Sequence, residues 1–266
     1  MVRVVLTVGI DEVGYGPSLG PLVVVAAAAR GPLPGSVRIA DSKKVFSQAR
    51  GIGTLEPAVL GFVPAPTVAD LLIRLSSRLP DVPWYAAPIA LPRVPPLRKL
   101  VGAWARFVDP AEFNASTRNR NKSDFLFEIV AGLIREIRAE HRGPIRFLVG
   151  KQGGRHYYLR SLQQQVSSTV MVTQETPQRS AYQIPGATIE FLMDAEDRHK
   201  LVALASMIGK YVRESAMALF NDWWAARVQG LKRTAGYGDD ARRFYLEIEP
   251  LLASLNISPD SVLRLR

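Results

Sequence analysis

Hydrophobic positions along this chain follow two rhythms. Continuous apolar runs at 4–10 and 22–29, rich in β-branched residues, predict central strands buried on both faces. Shorter runs at 145–149, 170–173 and 187–193 predict further strands, and 37–40 a brief one after the turn at Pro32, Pro34 and Gly35. Elsewhere the apolar spacing is helical. Leu126, Ile129, Val130, Leu133, Ile134 and Ile137 form one stripe, with Ser123 as the expected N-cap, an end near Glu140 and a stop at Gly143-Pro144. A long helix is predicted from 201 to about 228, with Trp223 and Trp224 as packing residues, and a final helix over 239–252. Residues 47–62 have helical spacing at Ile52, Leu55, Val59 and Leu60, weakened by Gly51, Gly53 and Pro57. Residues 63–100 are proline-rich, with one helical piece near 68–79. Strands followed by helices that pack over them predict an α/β layer fold.

Composition narrows the class. The 266 residues can bury a sizeable core as a single domain over 1–266, and no internal repeat is visible. A net charge of +10 favours a polyanionic partner, with simple basicity as the competing reading. Basic residues at Arg118, Arg120, Lys122, Lys151, Arg155, Lys232, Arg233, Arg242 and Arg243 are compatible with one long face. Without cysteine, disulfides and thiolate metal sites are excluded. No apolar run reaches the roughly 18–20 residues of a membrane span, and Asp11 and Glu12 interrupt any signal-like segment. A cytoplasmic protein with no membrane partner is expected.

The chemistry concentrates where the first apolar run ends. Asp11 and Glu12 follow it directly, and the segment from Gly9 to Pro21 continues Val13-Gly14-Tyr15-Gly16-Pro17-Ser18-Leu19-Gly20-Pro21. Carboxylates at the end of a buried strand lose hydration and need a proton, a cationic side chain or a metal ion. The neighbouring glycines allow a large ligand close to the backbone. Asp41-Ser42-Lys43-Lys44 then supplies cations suited to phosphates. This combination points to a nuclease.

These two motifs resemble those of the type 2 ribonucleases H, the ribonuclease HII/HIII family. That family opens with Gly-Ile-Asp-Glu-(Ala/Val)-Gly-Arg-Gly-Pro-x-x-Gly-Pro and continues some twenty residues later with Asp-Ser-Lys-Lys. The resemblance is close over 9–44, fair over 123–155 and 194–214, thin over 232–245 and absent from about 63 to 100. It implies a ribonuclease H-like mixed sheet that begins with two antiparallel strands and is flanked by helices, with 63–100 as an insertion or edge elaboration. It also implies four carboxylates around two ions of Mg²⁺ or Mn²⁺. Asp11 and Glu12 match the first two. Ten residues before Ser206, in Leu204-Ala205-Ser206-Met207-Ile208-Gly209-Lys210-Tyr211, stands Glu196 as the fourth, with Asp194 and Asp197 as competitors. The third should end the strand after the Ser123 helix, where Gly150 stands in Val149-Gly150-Lys151-Gln152. The expected activity is endonucleolytic hydrolysis of RNA in RNA/DNA hybrids, or of ribonucleotides embedded in duplex DNA, weakened by Gly150. No obligate protein partner is expected.

The same resemblance assigns substrate contacts. Gly14, Tyr15 and Gly16 match the loop that senses a ribose 2′-OH, with Tyr15 in place of the usual arginine and so without its charge or donor fork. Ser42, Lys43 and Lys44 match phosphate contacts, and Tyr237 matches a tyrosine that packs on a sugar. Asn114 and Lys122 are weaker contact candidates. Two other readings stay open. A nucleic-acid-binding protein with a vestigial nuclease site would account for Gly150 and Tyr15. Gly16-x-Ser18-x-Gly20 also fits a serine-hydrolase elbow, but that elbow needs a strand–turn–helix setting, and here a second strand follows.

Overall fold

The structure, a computed structural model, describes residues 5–97 and 100–265. Seven strands make one mixed sheet in the order β3-β2-β1-β4-β7-β6-β5. The strands β1 (Leu6–Val13), β2 (Leu22–Arg30) and β3 (Gly102–Val108) form an antiparallel meander. β4 (Ile145–Gly150) runs parallel to β1, and β7 (Ala187–Leu192) parallel to β4. β6 (Arg179–Ile184) and β5 (Met171–Glu175) complete the sheet in antiparallel pairings. This is the mixed ribonuclease H-like sheet with an antiparallel opening pair that the sequence led us to expect.

The apolar runs become central strands because helices cover both faces. α5 (Lys122–Glu140) shares a core with Val8, Ile10, Phe147 and Val149. α8 (Lys200–Ala225) covers the opposite face, where Leu204, Ile208 and Val212 pack with Val23, Val25 and Ala27. Each such fully buried side chain favours the fold by about 1.5–3 kcal/mol relative to exposure. Gly9 sets how closely α8 crosses β1: a Cβ there would stand 2.3 Å from the Leu201 backbone. Strand alternation then turns Asp11 toward the α8 side and Glu12 toward the α5 side.

The remaining helices are α1 (Ser42–Val45), α2 (Glu56–Phe62), α3 (Val68–Arg74), α4 (Pro110–Thr117), α6 (Leu159–Gln165), α7 (Ala195–Arg198) and α9 (Gly238–Leu252). The proline-rich segment carries Trp84 into the core, edge-on to Phe220 at 5.5 Å and Trp223 at 5.9 Å. The Trp223–Trp224 pair packs there as expected, with Trp224 fully buried. Among the described residues no helix is long and apolar enough to cross a membrane.

Several boundaries differ from the sequence expectation. β1 continues through both carboxylates to Val13, because β2 pairs with it as far as Val23. Asn121 caps α5 in place of Ser123, its side chain accepting from the Ser123 amide. Residues 37–40 form no strand. The 47–62 stretch divides into a short 3-10 turn at Ile52–Thr54 and α2, and the helical piece near 68–79 ends at Arg74. β3, β6, α4 and α6 were not predicted. Residue 4 of the first run and residues 98 and 99 of the proline-rich segment lie outside the described residues.

Candidate active site

The ends of β1, β4 and β7 open into one cleft of about 390 Å³. Asp11 and Glu12 reach it from β1, Gly150 from β4, and Glu196 from α7 just after β7. The parallel β1–β4–β7 pairing makes this convergence, since strands running the same way end on the same side. Asp194 turns the chain back with a left-handed φ of 50°, a conformation Asp tolerates better than most residues. Glu196 therefore faces the cleft and lies near enough to Asp11 to raise its pKa. Asp197 instead pairs with Lys44 outside. Asp194 also lines the cleft.

The carboxylates are crowded and short of positive charge. Burial, and then Glu196, push Asp11 up to about 7, against a hydrogen bond from Ser206. Glu12 is likewise driven well above the usual carboxylate range by burial, then by Asp11 and Glu196. The nearest cation to Glu196 is the exposed Lys43, whose Nζ stands 3.9 Å away. At that exposure it neutralises little.

Gly150 lies beside these acids: a Cβ there would point at Asp11, with Oδ1 2.9 Å away. Its backbone is not left-handed, so a longer side chain meets no backbone barrier, but at 2.9 Å the flexible end of Asp11 must shift to admit it. Hard oxygen donors carrying unbalanced negative charge match a divalent cation in kind. In placement they fall short: among the described residues no group of three His, Cys, Asp or Glu, the cleft acids included, is positioned to hold a metal ion.

The expected substrate contacts separate into groups. Gly14, Ser42, Lys43 and Tyr237 line the cleft with the acids. Ser42 is buried, however, and its hydroxyl lies 3.0 Å from that of Ser206, so it supports the floor and is not an open phosphate contact. Lys44 is tied to Asp197 at the surface. Tyr15 is half-buried beside the cleft, with Lys122 Nζ 4.9 Å from its ring centroid. Gly16 faces open space. Asn114 is buried and bonded to the C-terminal segment, which removes it as a direct contact. Most of the expected basic face is paired with acids: Arg118 with Asp260, Arg120 with Glu128, Arg155 with Asp124, Arg233 with Asp222 and Arg243 with Asp240.

Three polar lining residues were named in the sequence but not assigned to the site: Ser206, Lys151 and Lys210. Ser206 and Lys210 share one helix face by their four-residue spacing, a signal available once α8 is recognised. Lys151 follows the missing acid directly, but its Nζ donates to the Thr176 carbonyl and burial lowers its pKa.

No protein-family model matches this chain, and no curated protein sequence does. Solved structures are similar at the level of fold. One is a chain of the PCNA:RNase HII complex from Archaeoglobus fulgidus, at 20% identity over 98% of this chain and 95% of that one, TM-score 0.52. Another is a mutant protein of Bst-RNase HIII, at 18% identity over 98% of this chain and 67% of that one, TM-score 0.56. The chain shares the ribonuclease H-like α/β fold of these two structures.

Proposed function

We propose that this chain is a type 2 ribonuclease H-like endonuclease. It would hydrolyse the RNA strand of RNA/DNA hybrids, or ribonucleotides embedded in duplex DNA, with Mg²⁺ or Mn²⁺ and no obligate protein partner. The observation that carries this reading is the convergence of Asp11, Glu12, Glu196 and Gly150 on one cleft from three strand ends. The two neighbours named RNase HII and RNase HIII share the fold that makes this convergence.

Asp11, Glu12 and Glu196 are the residues that would hold divalent ions. Bound there, such ions supply activated water and stabilisation of the leaving oxygen, giving 5′-phosphate and 3′-hydroxyl ends. Ser206, beside Asp11, would favour its ionised form. Lys43 offers its charge to a backbone phosphate at the cleft rim, and the half-exposed Tyr237 offers its ring to a sugar. The Gly14–Gly16 backbone would read a 2′-OH. Gly150 leaves the ligand set one carboxylate short, so cleavage is slow. A second reading, a hybrid-binding protein with a vestigial site, is favoured by that same gap and by the absence of a metal-ready cluster among the described residues.

The test is cleavage of an end-labelled hybrid with Mn²⁺. Slow, metal-dependent cutting is expected, lost in Asp11→Asn while hybrid binding in low metal persists. Unchanged cutting in Asp11→Asn removes the proposed centre. Binding without any cutting by the chain, even after Gly150→Asp, replaces the nuclease with the binding protein.

A further inference from the structure

Two arginines lie buried beneath the Gly14–Gly20 loop, and neither lines the cleft. Arg213, on α8, is 0% exposed, and Arg264, near the C-terminus, 3%. Arg264 Nη1 donates to the carbonyls of Gly14 at 2.6 Å and Pro17 at 3.4 Å. Arg213 Nη2 donates to Ala235 at 2.9 Å and more weakly to Leu19 at 3.4 Å. Its guanidinium also stacks 5.3 Å from the Tyr237 ring centroid. Arg213 Nη1 also pairs with Glu214 at 3.4 Å, whereas Arg264 makes no salt bridge among the described residues, and three nitrogens of the two guanidinium groups have no partner: Nε of both and Nη2 of Arg264. Burial, and then Arg213 beside it, lower the Arg264 pKa.

Burying two like charges together is costly, so their placement calls for a reason. Their chief partners are loop carbonyls. The packing is tight enough to dictate sequence: Gly14 has φ +87°, and a Cβ there would stand 2.7 Å from Arg213 Nε. A backbone lacing holds the same three segments together. Ser18 donates to Gly236, Arg264 donates to Ser18, and Leu19 bridges Leu263. Asn114 clamps the far side, donating to Leu263 at 2.8 Å and accepting from Leu265 at 2.9 Å.

In a planar trans peptide the C=O and N–H point opposite ways. Fixing the Gly14 carbonyl on Arg264 therefore turns the Tyr15 amide outward. The Tyr15 and Gly16 amides make no hydrogen bond among the described residues and are free for a ligand.

We propose that Arg213 and Arg264 are positioning residues that hold the Gly14–Gly16 amides, and the Tyr237 ring, in the orientation that selects a ribose-containing strand. The proposal rests on the hybrid-directed reading above. Through Arg264 the C-terminal segment, and through Arg213 helix α8, set selectivity for an RNA/DNA hybrid over a DNA duplex, without touching substrate. Inward guanidinium contacts thus organise a loop that carries Tyr15 and no arginine of its own.

The experiment measures binding of a labelled RNA/DNA hybrid and a sequence-matched DNA duplex by anisotropy in EDTA, beside hydrogen exchange at the loop amides. It compares the full chain with Arg264→Met, Arg264→Lys and Asn114→Ala. Arg264→Met is expected to fold, since it removes a buried charge along with its hydrogen bonds. It should weaken hybrid binding about 5–10-fold, about the net worth of one hydrogen bond, and duplex binding less than about twofold. Arg264→Lys should recover part of the preference. Exchange at Tyr15 and Gly16 should quicken in Arg264→Met.

A folded Arg264→Met that keeps its preference and its slow exchange overturns the proposal. So does an equal loss on both nucleic acids, which marks a merely structural role. If Arg264→Met does not fold, Asn114→Ala decides, because it loosens the C-terminal segment and leaves both arginines in place. A matching loss of preference supports the proposal, and an unchanged preference refutes it. A chain with no hybrid preference at the outset refutes the functional reading, whereas loop exchange still reports whether Arg264 positions the amides.

Discussion

Two charge clusters of opposite sign meet near Gly14, a half-buried acidic one and a buried basic one, and they are built differently. Asp11, Glu12 and Glu196 gather at strand ends, open to a cleft, with only the exposed Lys43 close by. Arg213 and Arg264 are closed off from the cleft and bond chiefly to backbone carbonyls, Arg213 also to Glu214. No salt bridge joins the two clusters among the described residues. An open, uncompensated acidic group accepts a cation from solution, while a closed basic pair bonded to a loop fixes that loop's shape. The first supplies candidate chemistry, and the second supplies its geometry.

The largest expected effect comes from completing the acidic cluster. Gly150→Asp places a carboxylate toward Asp11 and should raise hybrid cleavage by roughly two orders of magnitude or more, because two-metal chemistry depends on holding both ions. A rate assay on a uniform hybrid and on a duplex with one ribonucleotide reads this. No change on either substrate would mean that the acidic cluster is not a catalytic centre.

A smaller effect concerns stability and its pH dependence. Asp11 is raised from 3.8 to about 7, so between those values the native state keeps a proton that the unfolded chain has lost. Stability without metal therefore falls as pH climbs through that window and stays low above it. Asp11→Asn should flatten this fall and raise stability near pH 8 by about 1–3 kcal/mol. Urea denaturation in EDTA at about pH 5 and about pH 8 measures it, and a parallel loss of stability in the mutant at both would contradict the crowding. By contrast, Arg264→Met should shift stability by less than about 1 kcal/mol at either pH, its lost hydrogen bonds offset by the relief of a buried charge.

The smallest effect belongs to the surface lysines. Lys43→Ala should lower hybrid affinity a few-fold and reduce the salt slope by about one. Lys44→Ala should do less, since Asp197 already engages that charge. Equal effects from both would show that the Lys44 pair opens on binding.

Strands buried on both faces were legible in the sequence because nothing polar interrupts them, as in β2, where all but the last residue is buried. β3 and β6 escaped notice because Arg106, Arg179 and Gln183 break their apolar runs, and β3 lies at the sheet edge. The N-cap was misplaced by two residues because Asn121 and Ser123 are both good caps, and only geometry separates them. Asp11 and Glu12 stood out by adjacency, and Gly150 only through the family resemblance, which implies an aspartate at the end of that strand. Arg264 did not, because its partner Gly14 lies 250 positions away and a lone arginine near a chain end has no pattern. Ser42 reads by motif as a phosphate contact, whereas its hydroxyl turns inward to Ser206.

The central claim is that the cleft is a divalent-cation centre lacking one ligand. Titrating Mn²⁺ into the chain, Gly150→Asp and Asp11→Asn, with the free ion followed by electron paramagnetic resonance, tests it most directly. The account predicts weak binding to the chain, binding at least about tenfold tighter in Gly150→Asp, and none in Asp11→Asn. Equal Mn²⁺ affinity in all three proteins would contradict it.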